Sequence, residues 1–257
     1  MKSLKQLVTL TQRVSRLNLT DADTLITVFV MPIMLLLFFV YVFGGNIDTG
    51  SGHNTQLYLN YAVPGFMLFT MVSASAYTGM RINNDKVSGM LDRLNTLPIK
   101  RWAILNAHVV ASVIFMLLSE ITLLVTALLI GYRPTITLTT TVLAFALMVS
   151  FGVAITIIAL PFSLRANGTA GATGFSYLLI MLVMTSSALM PTTGMAKPVR
   201  LFAQRQPFTP IANASRQLLN GVINQQTLAT STIWLILLIV GLGLLAKYRY
   251  RQLYLKA

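Results

Sequence analysis

Asp85–Pro98, DKVSGMLDRLNTLP, is the longest polar cluster between two long apolar segments of the chain. Val87, Met90, Leu91 and Leu94 fall at i, i+3, i+4 and i+7, which predicts one apolar stripe along a short helix. Asn84 or Asp85 is placed to cap its start, and Pro98 marks its stop. Lys86, Ser88, Asp92, Arg93 and Asn95 form the opposite, polar side. A membrane crossing takes about 20 apolar residues, so this segment cannot span. It suits either an ordinary amphipathic loop helix or a helix lying across the ends of spanning helices, facing a cytoplasmic partner.

The flanks of this stretch decide the class. Apolar residues make up 55% of the 257-residue chain, charged residues 10%, and the mean hydropathy is +0.73. A soluble domain carries about a quarter charged residues. Apolar runs near residues 25–43, 57–77, 104–130, 138–160, 168–190 and 228–246 predict six transmembrane helices. The fold class expected is therefore an all-α polytopic membrane protein. Pro32 lies inside the first span and Pro64-Gly65 in the second, which a membrane helix tolerates when neighbours satisfy the freed carbonyl. Tyr58, Tyr61 and Tyr77 suit anchoring at the two interfaces. Small residues in spans two and five, Gly79 and Gly171 among them, offer surfaces for close helix contact.

Residues 1–22 predict an N-terminal amphipathic interfacial helix, with Leu4, Leu7, Val8, Val14 and Leu17 against Lys2, Lys5, Arg13 and Arg16. No small-residue cleavage site precedes the first span, so a removed signal peptide is not expected. Pro191, Pro198, Pro207 and Pro210 break the region 191–227 into short pieces, which predicts broken outer re-entrant helices before the last span. Residues 247–257 form a basic tail. Basic residues crowd the N-terminal segment, the loop 79–101 and the tail, which favours both termini in the cytoplasm. Lys197, Arg200, Arg205 and Arg216 sit awkwardly outside in that topology.

A net charge of +13 would suggest nucleic acid in a soluble protein. Here the charge flanks apolar segments, so membrane lipids are the expected counter-charge and no nucleic acid is expected. The chain has no cysteine, no GxxxxGK[ST] phosphate loop and no HExxH or GxSxG sequence. No catalytic residue, metal site or bound cofactor is therefore expected. Glu120 is the sole glutamate and lies deep in the third span, where it serves transport or bonds a neighbouring helix. His108 reads as structural.

The sequence resembles the ABC-2 type permease family, the membrane component of many ATP-binding-cassette exporters. The likeness rests on Asp85, Gly89, Leu91, Leu94 and Pro98 after the second span, and on Pro210, Arg216 and Gly221 in PIANASRQLLNG before the last. Asp85 stands where glutamate is common in the family, and Thr209 where asparagine is. The resemblance implies an ABC-2 type transmembrane domain over residues 23–246 and a coupling-like helix at 85–94 that docks on an ATPase. Asp85 would be a positioning residue, Gly89 would permit close approach, and Val87, Met90, Leu91 and Leu94 would be apolar contacts. Pro210, Arg216 and Gly221 would belong to an outer gate. The partners implied are a P-loop ATPase in two copies and a second permease subunit, as a homodimer, in a prokaryotic plasma membrane. ATP and Mg would be held by the ATPase. Short outer loops bring the daunorubicin and multidrug export permeases nearest. Export of a lipid or lipid-linked glycan is the rival reading, and a membrane sensor or immunity protein that recruits an ATPase without net transport is another.

Overall fold

Helix follows the apolar patterning throughout the computed structural model, which describes residues 2–47 and 54–254. Residues 48–53 and the last three residues of the basic tail lie outside the described residues. The helices are α1 (Lys2–Leu19), α2 (Ala22–Phe43), α3 (Thr55–Val87), α4 (Met90–Thr96) and α5 (Arg101–Leu129). They continue as α6 (Leu138–Arg165), α7 (Thr169–Met184), α8 (Lys197–Arg205), α9 (Phe208–Leu219) and α10 (Gln225–Tyr254). Among the described residues there is no strand, and five helices, α2, α3, α5, α6 and α10, are long and apolar enough to cross a membrane. The fifth expected span, residues 168–190, is shorter: α7 has 16 residues and gives way to a turn in which Ser186, Ser187, Ala188 and Leu189 are buried.

The second span is the centre of the molecule. In the most apolar stretch of α3, 78% of residues are buried, against 11% in α10 and 22% in α2. Its neighbours are α2, α5, α6, α7 and α9, while α10 lies against α6 and α9. Polar residues 78–87 were expected outside the span, yet they continue the same helix to 33 residues, roughly 50 Å long. Gly65 and Gly79 allow this crowding. A Cβ on Gly65 would strike the Ala188 carbonyl, and one on Gly79 the Ala172 carbonyl of α7. The small surfaces of spans two and five thus pack on each other within one chain. Tyr58 and Tyr61 also turn inward rather than anchoring at an interface: their hydroxyls donate to the carbonyls of Leu189 (3.1 Å) and Ser187 (2.8 Å).

Pro32 leaves its mark on α2. It has no N–H for the Val28 carbonyl four residues earlier, and a wider π-turn occupies Ile26–Val30. Ser119 on α5 supplies the missing donor, its hydroxyl reaching the Val28 carbonyl at 2.5 Å in a buried site. Ser119→Ala should lower stability by about 1–2 kcal/mol, because it strands a buried carbonyl. Thermal unfolding in detergent would check this, and a midpoint equal to the parent's would remove Ser119 from that role.

Candidate functional site at the charged end of the central helix

The stripe over 85–94 does not lie on one helix. Ser88 ends α3 and Gly89 follows with φ +70°, a left-handed conformation that redirects the chain into α4. Asp85 and Val87 therefore belong to the end of α3, and Gly89 makes the turn between two helices, with no atom within 4 Å of where a Cβ would stand. Leu91 and Leu94 are buried against Ile82, Ile104, Leu160 and Leu164, so they hold α4 to its own chain. Met90 is half-buried, and Val87 is 64% exposed. What remains accessible to a partner is Val87, Ser88, Asp92, Arg93, Thr96 and Leu97. Pro98 lies in the exposed loop after α4, where its carbonyl accepts from Gln6 of α1 at 3.4 Å.

Four polar side chains from the last turns of α3 point in different directions and tie three other helices together. Arg13 of α1 grips Asp85 with both nitrogens, Nη1 to Oδ2 at 2.8 Å and Nη2 to Oδ1 at 2.7 Å. His108 of α5 places Nε2 at 3.3 Å from the same Oδ2. The Asp85 side chain is 9% exposed and that of Arg13 30%, so the pair is only partly screened by water. The hydrogen bonds to Asp85 raise Arg13 above its ordinary arginine value, against a smaller opposing effect of burial. Arg81 donates to Asn18 Oδ1, to the Leu17 carbonyl at the end of α1, and to Asp21 at 2.6 Å. Asn83 and Lys86 donate to the Ala166 carbonyl at 2.8 and 2.9 Å, closing the C-terminus of α6. Arg13, Arg81, Asn83 and Lys86 were not singled out from the sequence as site residues. The available signal was four polar residues spread around the last turns of a helix expected to stop earlier.

A second cluster occupies the opposite end of α3. Arg216 of α9 donates from Nε to the Tyr61 carbonyl (3.0 Å), from Nη1 to Asn213 Oδ1 (2.8 Å), and from Nη2 to the carbonyls of Ser187 (2.9 Å) and Ala188 (3.2 Å). Its guanidinium carbon stands 3.7 Å from the Tyr61 ring centroid. Pro210 falls in the first turn of α9, where a missing N–H costs nothing. Gly221 (φ +74°) ends that helix: its N–H bonds the Leu218 carbonyl and that of Val222 the Gln217 carbonyl, a Schellman closure. Pro210, Arg216 and Gly221 thus act on one helix that clamps the turn after α7 to α3. Gly89→Ala should cost about 1–2 kcal/mol, since no atom lies within 4 Å of the added Cβ and only the backbone is strained. Gly221→Ala should cost more, roughly 2–4 kcal/mol, because its Cβ also meets the Thr135 carbonyl. Equal unfolding midpoints for the two variants would contradict this ordering.

Glu120 lies apart from both clusters, on α5 and 5% exposed. Among the described residues no group of three or more His, Asp or Glu side chains is arranged to hold a metal ion. A groove of about 600 Å³ runs between α2, α3 and α7, lined by Met31, Leu35, Phe69, Tyr77, Tyr177 and Ile180 among others. Of the aromatic residues of span one, Phe29 and Phe39 pack on Phe115 and Phe66.

Two relatives share this layout of sequence. The chain is 29% identical over 199 residues to the daunorubicin resistance ABC transporter permease protein DrrB1 of Streptomyces coeruleorubidus, covering 77% of this chain and 69% of the relative. It is 24% identical over 196 residues to the probable doxorubicin resistance ABC transporter permease protein DrrC of Mycobacterium tuberculosis, covering 76% and 70%. The ABC-2 type transporter family matches residues 5–220, from α1 through the Arg216 clamp. By that match the chain belongs to the ABC-2 type transporter family, as a membrane permease component.

Proposed function

We propose that this chain is the membrane half of an ATP-driven exporter for drug-like amphipathic compounds, with ATP hydrolysed on a separate P-loop ATPase. The observation that carries this reading is the Arg13–Asp85 pair, which fastens the interfacial helix α1 to the end of α3 beside α4. Force applied to the exposed side of α4 then reaches the most buried helix of the molecule directly. Counting α7 and its buried turn as a crossing gives six, with both termini in the cytoplasm and α4 on the cytoplasmic face. The groove between α2, α3 and α7 is wide enough for part of a drug-sized molecule and opens beside the helix that would move. Resistance to anthracyclines in the names of both relatives makes such compounds the first cargo to try. A second copy of the chain and two ATPase copies would complete the transporter.

The chain has no cysteine, so single-cysteine variants report position cleanly. Asp92→Cys and Arg93→Cys should crosslink to the ATPase and resist a membrane-impermeant thiol reagent added to intact cells. Labelling of either position from outside would overturn the topology and the docking face together.

A further inference from the structure

Glu120 presents a buried carboxyl group to an apolar cavity. It lines a cavity of about 250 Å³ between α5 and α6, walled by Met67, Leu117, Leu124, Met148 and Leu219. Its Oε1 is fully buried and has no hydrogen-bond partner. Two hydroxyls beside it are engaged elsewhere. The Ser119 hydroxyl goes to the Val28 carbonyl, and that of Thr141, which also lines the cavity, to the Thr137 carbonyl. The two arginines near this end of the helices are committed too, Arg133 to the Leu128 and Tyr132 carbonyls and Arg216 to its clamp. An ionised carboxylate held dry and unpaired costs several kcal/mol. The bonding to a neighbouring helix expected as one reading of Glu120 is absent among the described residues.

The cavity also has a way in. Ile121 (55% exposed) and Phe145 (60% exposed) stand at its rim on the outer surface of the bundle, where lipid tails would lie. A molecule could enter sideways, place a cationic head against Glu120 and leave its apolar body between those side chains. Phe145 adds an aromatic ring whose face can attract a passing cation. Among the described residues no basic side chain lines the cavity, so a head carrying a phosphate beside its ammonium would find no partner there for the phosphate. At about 250 Å³ the space takes the head and a few methylenes, with the remainder in lipid.

We propose that this cavity is a lipid-facing binding site for phosphate-free cationic amphiphiles, with Glu120 as the counter-ion. It goes beyond the export reading and stands or falls apart from it, because binding is read without ATP and without flux. The test uses the full chain in phosphatidylcholine nanodiscs and radiolabelled dodecyltrimethylammonium. Saturable binding is expected, weakened about tenfold or more by Glu120→Gln and also by Ala144→Leu, which fills the cavity and leaves the carboxyl in place. In the unmodified chain, dodecyltrimethylammonium should protect Glu120 from dicyclohexylcarbodiimide, while uncharged dodecanol should not. That arm needs no variant to fold. Unchanged binding in Glu120→Gln, equal protection by dodecanol, or displacement of the cation by phosphatidylethanolamine in the disc would each overturn the proposal.

Discussion

Arg216→Met should lower stability by roughly 3–6 kcal/mol. One guanidinium satisfies the carbonyls of Tyr61, Ser187 and Ala188 and the Asn213 amide oxygen, and stacks on Tyr61. Methionine fills much the same space but donates nothing. The Ser187 carbonyl keeps the Tyr61 hydroxyl and Asn213 Oδ1 keeps the Ser187 hydroxyl, so the loss falls on the Tyr61 and Ala188 carbonyls, at about 1–3 kcal/mol each, and on the contact with the Tyr61 ring. Arg216→Lys should recover less than half of the loss, since an ammonium is a point charge and cannot span a fork of acceptors. Size-exclusion chromatography of heated detergent extracts would read this. A methionine variant that melts with the parent would mean that α9 is held by its apolar face alone.

The second large effect is at the other end of α3. Asp85→Asn and Arg13→Gln should each cost roughly 2 kcal/mol, between the ~1 of an exposed pair and the ~3–5 of a buried one. The double variant should cost little more than either single one, because each change removes the same bidentate bond. His108 modulates the result, as its Nε2 also faces Asp85. Under the proposed function both single variants should keep ATPase binding through the exposed side of α4 yet lose most of their transport. Simple addition of the two stability losses would show that Arg13 and Asp85 act independently.

Much of this architecture was legible in the chain. Spans with unbroken apolar runs, α2, α5, α6 and α10, came through because hydropathy reports composition over about 20 residues. The proline in α2 was legible as a disturbance, but its remedy was not, because Ser119 lies 91 positions from Val28. The same limit hid the true end of α3. Arg81, Asn83 and Asp85 look like loop residues until their partners on α1, α5 and α6 are seen, and those partners lie up to 83 positions away. Ser88-Gly89 did carry a local signal for a helix end, which the apolar spacing of Val87 to Leu94 obscured. Periodicity marked Leu91 and Leu94 as a face, but whether a face meets its own chain or a partner depends on what packs there. Arg216 stood out in the sequence as an awkward outer charge and through the family resemblance, and four acceptors drawn from α3, α9 and the turn after α7 explain why that position takes arginine.

Under the proposed function, work done by a separate ATPase enters this chain through α4 and the Arg13–Asp85 tie. Proteoliposomes holding the chain with its co-purified ATPase, loaded with a fluorescent anthracycline, test it most directly. ATP-dependent flux that falls to background in Asp85→Asn, with the ATPase still bound, is the predicted result. Equal flux from the chain alone, with no nucleotide-hydrolysing partner present, would contradict it.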